Sequence, residues 1–288
     1  MNITQKSLLL GFIFFFTSFG NILAQENTPE YTFVCDGIER VYQLHIPKNM
    51  PANGPLVIML HGYGSSRLGG FNDAADRNGF AICYPRGEKD GRGKNCWNVG
   101  YPFQHNMTID DESFLEQLVQ HLQNKHGFSK HNVFCMGVSN GGEMCYQIAA
   151  HKPHLFAAVA PIAGLMMEWL YKSDTSTQPV PLFEIHGTED KTSAWKGDLE
   201  NKGGWGSYLP VPLAIHYCVA RNRCTNMETD TIIGKAPHNR TIVKHRFFGG
   251  INNSEVWLYE VIGAGHTRFL EDMDTGDEIW KFFSMYLK

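Results

Sequence analysis

The run Val133-Phe134-Cys135-Met136-Gly137-Val138-Ser139-Asn140-Gly141-Gly142-Glu143 decides how this chain is read. Four apolar residues suit a short buried strand, and Glu143 to Ala150 suits a helix, so the glycine-flanked serine falls on the turn between them. A tight strand-to-helix turn needs glycines on either side, because side chains there would collide with the neighbouring strand and helix. Such a turn lifts the Ser139 hydroxyl clear of the sheet and aims the first N–H groups of the helix at one point. Negative charge developing on a substrate oxygen would be held there. Ser139 is therefore a candidate nucleophile rather than a cap on an ordinary Gly-rich turn.

Working outward, short apolar runs alternate with amphipathic helical ones, the pattern of a mostly parallel sheet covered by helices. Arg40 to Pro47, Leu56 to Leu60 and Phe80 to Tyr84 read as strands before the serine turn; Phe156 to Ile162, Pro181 to Ile185 and Val256 to Ile262 read as strands after it. Asp110 to Lys125 places Phe114, Leu115, Leu118, Val119 and Leu122 on one helical face, opened by two acids that suit the positive end of the helix dipole. Asp277 to Tyr286 predicts a closing helix docked through Ile279, Trp280, Phe282, Phe283 and Tyr286. No repeat, low-complexity linker or second-domain boundary interrupts the series.

A serine hydroxyl needs a base to take its proton and a third group to orient that base. Of 13 histidines, His266 in Val261-Ile262-Gly263-Ala264-Gly265-His266-Thr267 follows the last predicted strand, with small residues that leave room for an imidazole. His186 also follows a strand, but it stands where the acid belongs, and it reads as structural. In His186-Gly187-Thr188-Glu189-Asp190 the orienting carboxylate is assigned to Asp190, and Glu189 to the solvated surface. The two oxyanion donors are assigned to the backbone N–H groups of Asn140, just after the nucleophile, and Tyr63, in the turn His61-Gly62-Tyr63-Gly64.

The 288 residues are 43% hydrophobic and 19% charged, which excludes disorder and coiled coil. A formal charge of −4 offers no positive field for a phosphate backbone, so nucleic acid is excluded as a partner. Residues 1–24 carry Lys6, an apolar run from Leu8 to Phe16, and Ile22-Leu23-Ala24, the layout of a cleavable export signal. The run is about half the roughly 20 residues a membrane anchor needs. The expectation is an exported domain over residues 25–288 with no membrane association after cleavage. Among the seven cysteines, Cys83, Cys135 and Cys145 read as buried hydrophobes, and Cys96, Cys218 and Cys224 as the better candidates for one disulfide. No C-x-x-C or tightly spaced Cys/His set points to a metal.

Ordered blocks carry a family resemblance: Leu60-His61-Gly62-Tyr63-Gly64, Tyr84-Pro85-Arg86-Gly87, Cys96-Trp97-Asn98, Asp110-Asp111, Gly137 to Gly142, His186 to Asp190, Gly265-His266-Thr267 and Trp280-Lys281-Phe282-Phe283. The chain resembles the α/β-hydrolases of carbohydrate esterase family 1, the feruloyl and acetylxylan esterases, and the similar catalytic domain of polyhydroxybutyrate depolymerases. The resemblance implies an α/β-hydrolase fold and ester hydrolysis by Ser139, Asp190 and His266 without a cofactor. It further implies an ester-decorated polysaccharide or oligosaccharide as substrate, feruloyl first, acetyl second and polyester third. Outside esterases, the alternatives are a serine peptidase and an inactive carbohydrate-binding relative. Two departures fall near the expected cleft rim: Arg268-Phe269 where many relatives carry an aromatic residue and then Pro, and the polar Lys191-Thr192-Ser193 after Asp190. The loop aromatics Trp97, Tyr101, Phe103 and Trp195 are candidate stacking surfaces for a sugar or phenolic acyl group.

Overall fold

A computed structural model of the chain describes residues 28–65 and 69–288; the export-signal reading of residues 1–24 lies outside them. In chain order the elements are β1 (Glu30–Cys35), β2 (Ile38–His45), β3 (Leu56–Leu60), α1 (Asn72–Asn78), β4 (Ala81–Pro85), α2 (Asp111–His126), β5 (Val133–Val138), α3 (Asn140–His151), β6 (Ala158–Ile162), α4 (Glu168–Ser173), β7 (Leu182–Gly187), α5 (Val211–Asn222), β8 (Asn226–Ile233), β9 (Thr241–Phe248), β10 (Val256–Val261) and α6 (Thr275–Ser284). The strands form one ten-stranded sheet in the order β1-β2-β4-β3-β5-β6-β7-β10-β9-β8. From β4 through β10 in that order the strands run parallel, and antiparallel strands extend both edges. This is the α/β-hydrolase fold expected from the sequence.

Both faces of the sheet are covered, so its central strands are apolar throughout, as buried parallel strands must be. The period-2 alternation then decides which layer each side chain joins. Leu56, Ile58 and Leu60 of β3 enter one core with Phe114, Leu118 and Leu122 of α2 and Met144 and Ile148 of α3. Val57 and Met59 enter the other, with Ala74 and Ala75 of α1 and Ile279, Phe282 and Phe283 of α6. Burying each of the two α6 phenyl rings is worth about 1.5–3 kcal/mol, which docks the closing helix. Trp280 stacks on Phe80 at 4.4 Å and Phe283 on Phe134 at 4.7 Å.

Several elements escape the sequence reading, namely β1, α1, α4, α5 and the β8–β9 hairpin. β8 is exposed along almost its whole length, so no apolar alternation marks it. The expected disulfide is corrected: all seven cysteines are free thiols. Cys96 is buried and accepts from Gln104 Nε2, while Cys224 donates to the Ser254 carbonyl. The polar surroundings of these cysteines in sequence therefore do not make a bridge.

Candidate active site

β5 delivers the chain to Ser139, whose backbone has φ 55° and ψ −122° before α3 begins. A non-glycine residue held there stores strain of about 1–3 kcal/mol, which the surrounding contacts must offset. The Ser139 N–H donates to the Ile162 carbonyl at 2.8 Å, and the Glu143 N–H donates to the Ser139 carbonyl at 3.0 Å. The glycines are required by contact. A Cβ on Gly137 would lie 2.2 Å from the Gly141 carbonyl oxygen, and one on Gly141 would lie 2.5 Å from the Leu60 carbonyl oxygen. The turn is thus wedged between β3 and α3, and Ser139 faces an open cleft of about 400 Å³.

Two loops bring the other groups to that cleft. After β7, Asp190 is buried, and its Oδ1 accepts the N–H groups of Thr192 and Ser193, each at 2.8 Å. Its Oδ2 accepts from His266 Nδ1 at 2.6 Å, which leaves His266 Nε2 as the free ring nitrogen. His266 lines the same cleft as Ser139. Glu189 is exposed and turns to solvent. The pair the sequence proposes, Asp190 and His266, is therefore joined in space across 76 residues.

The loop after β3 closes the site from the other side. Gly62 sits against Ser139, so that a Cβ there would stand 3.4 Å from Ser139 Cβ. Tyr63 lines the cleft beside it. At the start of α3 the Asn140 N–H has no partner within its own helix, as for any first-turn donor. His61 is a strut. Its Nδ1 donates to the Gly62 carbonyl at 2.8 Å and its Nε2 accepts the Gly87 N–H at 2.9 Å, while burial pulls its pKa down. A neutral imidazole thus ties the Tyr63 turn to the loop after β4. Gly87 itself has no room for a side chain, since a Cβ would lie 2.2 Å from the Cys96 carbonyl oxygen.

The aromatic candidates need correction. Trp97 is fully buried; its indole N–H donates to the His61 carbonyl at 2.9 Å, and its N–H and carbonyl are both bonded by the Asn140 side chain. It carries no exposed face for a substrate and instead braces the turn. Tyr101 is also buried, its hydroxyl bonded to Glu143, and Trp195 packs edge-on to His186 outside the cleft lining. Loop position in sequence says nothing about depth, and the Trp97 loop is folded beneath the Ser139 turn. Phe103 and Tyr101 cluster with Trp205, and the cluster reaches the cleft through Tyr63. The clamping role of the Asn140 side chain was not legible in the sequence, where only its N–H had an assigned task.

Buried acids lie beneath the turn. Glu184 Oε1 and the Ser193 carbonyl each accept from His186, at 2.8 Å, so both ring nitrogens donate, and the Glu184 carboxylate keeps the His186 pKa raised despite burial. Both ring nitrogens of His186 are thus engaged inside the fold, with Nε2 also 3.7 Å from Asp190 Oδ2. Glu143 is fully buried, and desolvation pushes its carboxyl up to about 8 against the hydrogen bonds from Tyr101 and Asn140. The folded pKa is above the ordinary 4.5, so the native state holds a proton that the unfolded chain releases. The resulting stabilisation is complete below pH 4.5, declines as pH rises and is gone above 8. Glu143→Gln keeps the shape without the proton. Thermal melts are therefore expected to show the wild type losing several °C more than this variant between pH 5 and 8.5, at roughly 2–4 °C per kcal/mol. Parallel pH curves for the two proteins would contradict this.

Among the described residues, no group of three or more His, Cys, Asp or Glu is arranged to hold a metal. No helix among them is long and apolar enough to cross a membrane.

Residues 41–177 match the family model described as Esterase PHB depolymerase, a span that includes Tyr63, Ser139 and Asn140 and stops short of Asp190 and His266. A poly(3-hydroxyalkanoate) depolymerase C of Paucimonas lemoignei is 30% identical over 215 residues, 73% of this chain and 49% of that protein. A feruloyl esterase B of Thermothelomyces thermophilus is 30% identical over 163 residues, 54% of this chain and 55% of that protein. A bifunctional acetylxylan esterase/xylanase of Neocallimastix patriciarum is 28% identical over 160 residues, 54% of this chain and 22% of that protein. The matches thus span about half or less of most of these relatives' own lengths. The solved acetyl xylan esterase from Aspergillus awamori superposes with a TM-score of 0.57 at 15% identity, over 89% of this chain and 99% of that one, which is agreement of fold.

Proposed function

We propose that this chain, which carries an Esterase PHB depolymerase domain within an α/β-hydrolase fold, is a serine carboxylic-ester hydrolase working through an acyl-enzyme. The observation that carries the reading is the Asp190–His266 hydrogen bond, whose imidazole opens onto the cleft that Ser139 faces. In this reading His266 Nε2 takes the Ser139 proton as the hydroxyl oxygen attacks the ester carbonyl. The N–H groups of Tyr63 and Asn140 receive the oxyanion. The same imidazole then gives its proton to the departing alkoxide, and the acyl-enzyme is cleared when water repeats the attack with His266 again as base. Asp190 fixes the tautomer and balances the imidazolium throughout.

For the acyl group we favour an arylacrylic ester, as on plant polysaccharide, over acetyl. The support is the room in the cleft and its wall of Met59, Tyr63 and Val138; with Trp97 buried, the stacking surface falls to Tyr63. Methyl ferulate is expected to show a higher kcat/KM than a short acetyl ester. Tyr63→Ala, which keeps the backbone donor, is expected to lower the ferulate value by roughly three- to tenfold while acetate changes less. Equal losses on both substrates would remove Tyr63 as an acyl contact, and a preference for acetylated xylan would move the substrate to that class with the triad unchanged.

A further inference from the structure

Arg268 lies two residues beyond His266 and lines the same cleft as Ser139. Its root is fixed: Thr275 Oγ1 donates to the Arg268 carbonyl at 2.9 Å, and Phe269 is fully buried with φ 58°, a conformation that a non-glycine residue holds only when packing imposes it. Among the described residues its head is poorly satisfied: the guanidinium has five N–H donors, and Nη1 makes one long contact there, 3.4 Å to the Gly69 carbonyl. Among the described residues no carboxylate lies within 4.0 Å of it. By contrast Arg40, Arg77, Arg86, Arg221, Arg240 and Arg246 each hold a carboxylate at 2.6–3.2 Å.

On a protein of net charge −4, a half-buried, rigidly rooted cation without a carboxylate, beside the nucleophile, is a local exception with a chemical consequence. Guanidinium donors match the two oxygens of a carboxylate, and partial removal from water strengthens that pairing. We propose that Arg268 is a specificity-determining residue that selects esters bearing a carboxylate on the acyl or the alcohol part, close to the bond that is cleaved. The proposal rests on the ester-hydrolase reading above and not on the preference for an arylacrylic over an acetyl group, both of which are uncharged. An anionic substrate docks with its carboxylate on Arg268, which places the ester carbonyl over Ser139, so the residue acts through substrate binding and not through the proton transfers.

Two matched pairs separate the two positions of the charge: monomethyl succinate against methyl butanoate for the acyl side, and 4-acetoxybenzoate against its methyl ester for the alcohol side. The wild type is expected to favour the charged member of one pair in kcat/KM. Arg268→Gln is expected to reduce that charged-to-neutral ratio at least tenfold, through KM, and Arg268→Lys to retain part of it. Calorimetric binding of the same two carboxylates to Ser139→Ala protein needs no turnover, and adding Arg268→Gln is expected to weaken it by the same factor. Absence of any preference for a charged member, or a preference and binding that survive Arg268→Gln, would overturn the proposal. Failure to hydrolyse any of the four esters would overturn the esterase reading instead, and the binding ratio would still decide the role of Arg268.

Discussion

Ser139→Ala is expected to yield a folded protein that hydrolyses a simple aryl ester at least ~1000-fold more slowly than the wild type, the scale seen when a triad loses its nucleophile. The loss should fall on kcat, because the hydroxyl forms the covalent bond and contributes little to holding the substrate. The fold should survive. The Ser139 contacts given above are made by its backbone N–H and carbonyl, and the turn is set by Gly137 and Gly141, which the substitution leaves alone. Circular dichroism and melting temperature check the fold, and initial rates check the chemistry. A variant with a tenth of the activity would remove Ser139 from the role of nucleophile.

The serine turn was legible because the physical demand there leaves a mark on residue type. Backbone atoms approach so closely at Gly137, Gly141 and Gly187 that a Cβ would overlap a carbonyl oxygen at 2.2–2.5 Å, and only one residue type removes that clash. The central strands were legible for a related reason: a strand covered on both faces is apolar at every position, and β3, β4, β5, β6 and β7 are buried at nearly every residue. The edges carry no such demand. β8 pairs with β9 through backbone hydrogen bonds while its side chains face solvent, so Asn226 to Ile233 is free to be Glu, Thr and Asp. Helix α1 is seven residues of mainly polar sequence and buries only Ala74 and Ala75.

Depth within loops was the other thing the sequence did not reveal. Trp97 and Trp195 lie in similar-looking polar stretches, yet the first is locked beneath the site by Asn140 and the second is only half-buried. The difference comes from a side-chain clamp that joins residues 43 apart and follows no local pattern. Asn140 shows why candidate site residues are easier to read than their supports. Its place after Ser139 is dictated by the turn, whereas its amide could face any peptide group that the fold happens to bring near.

The choice between Asp190 and Glu189 rests on geometry that makes the outcome of Asp190→Asn unusually constrained. Asp190 Oδ1 already accepts two backbone N–H groups, from Thr192 and Ser193. An asparagine at 190 must keep its carbonyl oxygen there, because turning the amide over would set its NH2 against two donors. Its NH2 therefore points at His266 Nδ1, which must become the acceptor, and the ring proton moves to Nε2. The imidazole then presents a proton where Ser139 needs a base. The expected result is a fall in kcat of ~1000-fold to ~10⁴-fold with a small change in KM, the behaviour of a wrong tautomer in an otherwise intact site. Glu189→Gln is expected to stay within about twofold of wild type, as for a surface substitution away from such features, because that side chain is exposed while Asp190 Oδ2 holds the imidazole at 2.6 Å. Steady-state kinetics on the two variants, with melting curves to exclude unfolding, give the ranking. The reverse order would mean that the orienting carboxylate during turnover is Glu189, and that the buried Asp190 shapes the loop through Thr192 and Ser193 alone.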